Sequence, residues 1–121
     1  MEKKKIQEFK EKLLRERSLL EDELKSVGKV DSENSSDWKA TSGDIETDSA
    51  DENEVADRFE ELEENEIIVS QLEPQLNEVI AALVRIEQNK YGLCAVCGGD
   101  IEIDRLEANP SAKTCKKHMH D

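Results

Sequence analysis

The apolar positions of the first part of the chain recur at the spacing of one helix face. Between residues 3 and 27 they follow one another at threes, fours and sevens, which is the period of an amphipathic helix. Gly28 is a natural C-terminal stop for that helix. The stripe consists of Ile6, Phe9, Leu13, Leu20, Leu24 and Val27, widened by Leu14 and Leu19. The pattern therefore predicts a first helix over residues 3–27.

A second apolar stripe predicts a longer helix over residues 51–89. Glu66 occupies one of its expected apolar positions, and Pro74 lies inside the pattern. Because proline removes one helical hydrogen bond, we expect a kink near Pro74, with a break and fresh start from a Ser70–Glu73 capping box as the alternative. The stripe consists of Val55, Phe59, Leu62, Val69, Leu72, Leu76, Ile80 and Leu83.

The segment between the two helices, residues 29–50, is rich in Ser, Asp and Thr and has no period, so we expect a linker. Trp38 is its one aromatic residue, and we expect it to dock within the chain rather than on a partner. Two helical stripes joined by one linker predict a long antiparallel, coiled-coil-like helical hairpin over residues 1–90. The predicted fold class is all-α, with a small C-terminal module over residues 91–121.

The C-terminal module contains all three cysteines of the chain. Cys94 and Cys97 form a C-x-x-C hook, and Cys115 and His118 form a C-x-x-H hook seventeen residues later. Zinc prefers tetrahedral coordination by thiolate sulfur and imidazole nitrogen, and two such hooks supply it. We therefore predict one structural Zn²⁺ held by four protein ligands, with His120 as the rival fourth ligand. Within the module, residues 101–103 are expected to form a short strand and residues 105–108 one helical turn.

Composition and charge narrow the function. The net charge is −13, and residues 43–66 hold twelve acidic side chains against one basic side chain, Arg58. Such a segment is either a solvated loop or a surface that seeks a positively charged partner. No cluster of Lys and Arg predicts direct DNA binding. No signal core, membrane-spanning stretch or catalytic set stands out, so we expect a cytoplasmic monomer that is not an enzyme.

The stretch from Tyr91 to His118, Y-G-L-C-A-V-C-G-G-D-I-E-I-D-R-L-E-A-N-P-S-A-K-T-C-K-K-H, resembles the zinc finger of the DksA/TraR family. Trp38 in its acidic linker and the D-E-N stretch at residues 51–53 resemble the small stress-protein-like branch of that family. The matching positions are Tyr91, Gly92, Cys94, Cys97, Gly98, Ile101, Arg105, Leu106, Glu107, Ala108, Pro110, Ala112 and Cys115. His118 stands where the family has a fourth cysteine. The helix that follows the finger in larger members is missing, so we do not predict that the chain binds ppGpp, and ppGpp dependence stays open.

This resemblance implies a bacterial transcription regulator that binds RNA polymerase through its secondary channel. In the family, an acidic hairpin tip with the pattern D-x-x-D-x-A acts near the catalytic Mg²⁺. Here Asp51, Glu54 and Ala56 fit that pattern, and Asp57 is an alternative second acid. Two other hypotheses are a zinc-stapled helical adaptor or stress protein that binds another protein without channel activity, and a redox sensor in which Cys94 and Cys97 form a disulfide and release zinc.

Overall fold

Long helices dominate the computed structural model, which describes residues 1–30, 37–41 and 52–119 and, for residues 52–54, the backbone alone. In chain order the elements are helix α1 (Lys3–Val27), strands β1 (Gly28–Val30) and β2 (Trp38–Ala40), helix α2 (Glu52–Glu87) and the short helix α3 (Ile103–Ala108), followed by a 3-10 turn at Lys116–His118. The predicted fold class of long helices with a small Cys3His module near the C-terminus is confirmed. None of the helices in this described part is long and apolar enough to cross a membrane.

The chain forms two compact units, and the first combines residues 1–19 with residues 76–121. Its core draws on three parts of the sequence, because α1, α2 and the C-terminal module each contribute fully or nearly fully buried apolar side chains. Phe9 is 1 % exposed, and its ring lies 5.9 Å from that of Tyr91 with the planes tilted by 48°. Lys5 Nζ donates a hydrogen bond of 3.3 Å to Glu107 Oε1. The other buried apolar residues of this unit are Leu13, Leu76, Val79, Ala82, Leu83, Cys94, Ile101, Leu106, Ala112 and Cys115.

The second unit covers residues 20–75 and contains a two-stranded antiparallel sheet that the sequence pattern did not predict. Gly28 pairs with Ala40, and Val30 pairs with Trp38. A side chain at Gly28 would place its Cβ 2.4 Å from the carbonyl oxygen of Lys39, so glycine both ends α1 and lets the second strand approach. The sheet therefore begins at the residue where the helix stops.

Two hydrogen bonds hold the second strand and its neighbour to α2 within this unit. The backbone N–H of Trp38 donates to Glu73 Oε2 at 3.2 Å, and Asn65 Nδ2 donates to the carbonyl oxygen of Thr41 at 2.6 Å. Trp38 is half-buried, so it lies within the chain as expected. Asn65 is only 8 % exposed, and this hydrogen bond gives its buried amide a partner.

The buried line of α2 follows the predicted stripe at Val69, Leu76 and Leu83 but departs from it at the start of the helix. It runs through Asn65, Val69, Leu76 and Leu83, whereas Phe59 is 62 % exposed. Six residues turn a helix by about 600°, so Phe59 points about 120° away from Asn65. The predicted core position of Phe59 is therefore wrong, and Asn65 rather than an apolar residue fills the first buried position of this line.

Helix α2 continues through Pro74, so the alternative of a break with a fresh start is wrong. The kink near Pro74 stays a prediction, as does the boundary between the two predicted domains at residue 90. Part of the predicted linker, residues 31–36 and 42–50, lies outside the described residues.

Candidate metal centre

Cys94, Cys97, Cys115 and His118 meet at one point of the first unit. One ligand atom from each of the four lies within 4.8 Å of all the others. The first two come from the loop that follows α2, and the last two flank or form the 3-10 turn at Lys116–His118. Folding thus closes the seventeen-residue gap between the two hooks. All three cysteines are free thiols, so no disulfide competes for them.

The distances between ligand atoms fit a tetrahedral zinc ion. Zinc bonds of about 2.3 Å to sulfur and 2.1 Å to nitrogen place neighbouring ligand atoms about 3.6 to 3.8 Å apart. Cys94 Sγ lies 3.8 Å from His118 Nδ1, and Cys97 Sγ lies 3.9 Å from Cys115 Sγ. Cys115 Sγ and His118 Nδ1 are 3.2 Å apart. The four side chains are therefore already arranged around a site of the right size, with Nδ1 as the imidazole ligand atom.

Backbone geometry shapes the first hook. Gly98 has φ of +71°, which glycine adopts without strain. This turn lets the N–H of Gly98 donate to the carbonyl oxygen of Cys94 at 2.9 Å, while the N–H of Cys94 donates to the carbonyl oxygen of Gly99 at 2.7 Å. The N–H of Val96 lies 3.4 Å from Cys94 Sγ and donates to it. The hook is thus a tight loop in which one amide, that of Val96, faces a ligand sulfur.

The second hook is tied to the first and to itself by backbone bonds. The N–H of Ala95 donates to the carbonyl oxygen of Lys113 at 2.8 Å, which joins the two hooks. The N–H of His118 donates to the carbonyl oxygen of Cys115 at 3.0 Å, which closes the 3-10 turn. This turn brings residues three apart to the same side, so the C-x-x-H spacing presents both side chains to one ion.

Arg105 supports the second hook from α3. Its Nε donates to the carbonyl oxygen of Thr114 at 2.5 Å, and its Nη2 donates to Thr114 Oγ1 at 3.2 Å. Thr114 is 4 % exposed and directly precedes the ligand Cys115. The resemblance included Arg105 but did not explain it, and Thr114 was missed because a single threonine carries no sequence signal of this role. The contact orients the backbone that presents the sulfur.

Tyr91 anchors the start of the module. It is 6 % exposed, and its hydroxyl donates to the carbonyl oxygen of Pro110 at 2.6 Å. Burial raises the pKa of Tyr91 to about 12, although the charge of Arg85 acts in the opposite direction. Arg85 in turn donates to the carbonyl oxygen of Ser111 at 3.3 Å. The end of α2 and the loop after α3 are thereby held together.

Two carboxylates, those of Glu102 and Asp104, bond to Lys116 of the second hook. The Lys116 amine pairs with the carboxylate of Asp104, and this bond raises the pKa of Lys116 and lowers that of Asp104. The backbone N–H of Lys116 donates to Glu102 Oε2 at 2.9 Å. The carboxylates of Asp104 and Glu102 therefore hold the second hook at Lys116.

Residues 101–103 do not form the predicted strand, because Glu102 precedes α3 and Ile103 begins it.

The thiols ionise unequally. Burial acts to raise the pKa of Cys94, but backbone hydrogen bonds, led by that of Cys97, outweigh it and lower the pKa to about 6. Burial raises the pKa of Cys115, and hydrogen bonding to the neighbouring thiols adds to that rise. A bound divalent ion would favour the thiolate form of all three cysteines, because cysteine binds metal as the thiolate.

Four protein ligands leave no open position on a tetrahedral ion. A substrate or an activated water needs such a position, so this arrangement suits a structural role. The residues that would hold zinc are the two hooks. The ion would cross-link the loop that follows α2 to the 3-10 turn at Lys116–His118. His120, the rival fourth ligand, lies outside the described residues.

The predicted tip residues are placed only in part. Asp51 lies outside the described residues, and the side chain of Glu54 is not described. Ala56 and Asp57 are exposed on the first turns of α2. The role of these residues therefore stays a prediction.

Comparison with known proteins agrees with this site. Residues 89–117 match a family model described as the prokaryotic dksA/traR C4-type zinc finger. The matched segment ends one residue before His118, where this chain departs from a four-cysteine site. The resemblance found in the sequence and the single structural zinc are thus both confirmed. A search of the curated proteins found no match.

Two solved structures share the fold. Transcription factor DksA2 from Pseudomonas aeruginosa aligns with a TM-score of 0.68 at 22 % identity, covering 98 % of this chain and 82 % of that one. The RNA polymerase binding protein and transcriptional regulator Dks from Chlamydia trachomatis aligns with a TM-score of 0.51 at 20 % identity, covering 98 % and 86 %. The similarity therefore extends from the zinc finger to the long helices.

Proposed function

We propose that this chain is a transcription regulator that binds RNA polymerase directly, through the secondary channel, and is not an enzyme. One observation carries the proposal: a zinc finger of DksA/TraR type follows a long helix, in a fold similar to those of the Pseudomonas aeruginosa and Chlamydia trachomatis regulators. The zinc module acts as a rigid base, since its four ligands and the Arg105 contact hold its loops. We expect the protein to work as a cytoplasmic monomer.

The acidic start of α2 is the part that acts on polymerase. Asp51, Glu54 and Ala56 fit the family's tip pattern, and Asp57 is exposed beside them. Carboxylates near a catalytic Mg²⁺ alter the local charge and can reposition the mobile elements around it. The excess of acid over base in residues 43–66 complements the positive field of such a channel and would speed association.

A transcription assay with purified components tests this proposal. The wild-type protein should bind core RNA polymerase in a pull-down and change initiation at an rRNA-type promoter. The double variant Asp51→Asn, Glu54→Gln should lose the effect on initiation while it still binds. Asp22→Asn with Glu23→Gln also removes one Asp and one Glu charge, from exposed positions on α1. It is the charge-matched control and should behave as wild type.

Competition with a Gre-type channel factor separates this proposal from the adaptor hypothesis. A channel binder is displaced by the factor, whereas an adaptor attached elsewhere on polymerase stays bound. Failure of the wild-type protein to bind core polymerase would refute the proposal outright. Binding that survives saturating Gre-type factor would favour the adaptor.

A further inference from the structure

Two exposed apolar side chains, Phe59 and Ile67, lie on one line along the first half of α2. Val55, Phe59, Glu63 and Ile67 follow one another four residues apart, so they form one line on the helix surface. Phe59 is 62 % exposed and Ile67 is 58 % exposed, while Val55 is half-buried. We call this line the Phe59 ridge. At 1.5 Å per residue it is about 18 Å long.

Phe59 is unusual for this chain. The protein has two phenylalanines, one tryptophan and one tyrosine, and the other three aromatic residues are buried or half-buried. Burying a phenylalanine that is mostly exposed removes a large apolar area from water. A solvent-facing phenylalanine with an equally exposed isoleucine two turns away is therefore a candidate anchor for a partner.

The charges around the ridge select the kind of partner. From Asp57 to Glu66 the helix carries six carboxylates and one cation, Arg58, which lies 3.5 Å from Glu61. A second copy of the chain would present the same acidic face, and like charges facing each other oppose association. Nucleic acid and anionic membranes carry the same sign of charge and are disfavoured for the same reason.

The chain's own linker is also a poor cover for the ridge. Residues 42–50 contain three carboxylates and neither lysine nor arginine. Packing this segment along an acidic helix would bring like charges together. The complementary surface is a protein cleft with an apolar floor and a rim of lysine and arginine side chains.

We propose that the Phe59 ridge is a docking surface, with Phe59 as the anchor that fills an apolar pocket of RNA polymerase and the flanking carboxylates paired with a basic rim. This inference rests on the proposed function and adds the residues that hold the complex together. The division of labour follows from physics. Burial of an anchor slows dissociation, whereas exposed rim charges mainly speed association and do so less at high salt.

Binding kinetics test the proposal, measured with core RNA polymerase purified from the cells in which this protein naturally occurs. The variant Phe59→Ala should raise the dissociation rate about tenfold, the size of effect expected for an anchor. Leu19→Ala is the matched control, because Leu19 is 66 % exposed on α1 and also loses only an apolar side chain. Its dissociation rate should stay within about twofold of wild type.

A charge variant gives an independent readout. Glu60→Gln with Glu64→Gln should lower the association rate at low salt, lose that effect at high salt and leave the dissociation rate unchanged. Both residues are exposed beside the ridge, so the variant keeps its fold. Circular dichroism melting of every variant reports on folding directly.

Four outcomes would overturn the inference. Equal dissociation rates for Phe59→Ala and Leu19→Ala would show that Phe59 is not the anchor, although the protein still binds polymerase. A large fall in melting temperature for Phe59→Ala with unchanged binding would mean that another part of the chain covers Phe59. A wild-type dimer in sedimentation that Phe59→Ala dissociates would mean that a second copy of the chain covers Phe59. If the wild-type protein does not bind polymerase, both the docking surface and the proposed function fail.

Discussion

Replacing Arg105 with alanine should weaken zinc binding without touching a ligand. Arg105 makes two hydrogen bonds to Thr114, of 2.5 Å and 3.2 Å, and Thr114 is 4 % exposed. Removing the guanidinium leaves a buried carbonyl oxygen and a buried hydroxyl without this partner. Hydrogen bonds from charged donors contribute about 1.5 to 3 kcal/mol each. Because Arg105 is only half-buried, we take the lower value for each, which gives about 3 kcal/mol.

This energy translates into metal affinity, because the module is stable only when its loops hold the ion. About 3 kcal/mol corresponds to roughly a hundredfold weaker apparent zinc affinity, since each 1.4 kcal/mol is about tenfold. That value lies at the upper end of the range seen for residues that orient metal ligands. A competition titration with a chromophoric zinc chelator measures it. Arg85→Ala is the graded control, because Arg85 makes one bond of 3.3 Å, to Ser111.

A double-mutant cycle isolates the contact itself. Thr114→Val removes only the hydroxyl, so the cycle with Arg105→Ala reports the coupling energy of that one hydrogen bond. We expect a positive coupling of about 1 kcal/mol and a larger remaining effect of Arg105→Ala from the carbonyl bond. If Arg105→Ala binds zinc as tightly as Arg85→Ala does, Arg105 does not position the second hook and the reasoning is wrong.

The two phenylalanines form a matched pair for urea denaturation. Phe9→Ala should lower the free energy of unfolding by about 3 to 5 kcal/mol, because the Phe9 side chain is 1 % exposed. Phe59→Ala should change the free energy of unfolding by less than about 0.5 kcal/mol, because Phe59 is mostly exposed. Tyr91 is the one tyrosine, so absorbance at high pH should report its ionisation near pKa 12. Because burial raises the folded pKa above the ordinary value of 10.0, the stabilising contribution of Tyr91 is present below pH 10 and lost between pH 10 and 12. A midpoint near 10 would show that the phenol is not buried. His118→Ala should lose the bound zinc and His120→Ala should keep it, as metal content per chain would measure; the reverse result would reassign the fourth ligand.

The zinc centre was determined by the sequence to an unusual degree. The identity and spacing of Cys94, Cys97, Cys115 and His118 predict both the metal and the closed coordination, because few other structures need two short hooks of soft ligands. The helix over residues 3–27 also follows from local information, since an uninterrupted apolar period ends at a glycine. The match of residues 89–117 to a known zinc finger rests on the same local pattern.

Tertiary structure alone decided the rest. Period and spacing made Phe59 a core residue, but the buried face of α2 depends on what packs against it, and here Asn65 faces inward to bind a backbone carbonyl. The pairing of β1 with β2 needs two three-residue segments to meet, and neither segment is long enough to show a period. The Arg105–Thr114 contact links α3 to the loop segment before Cys115, and no local sequence pattern encodes this contact. Local chemistry chose the ligands and the helices, whereas which faces are buried is settled by the long-range packing that brings distant segments together.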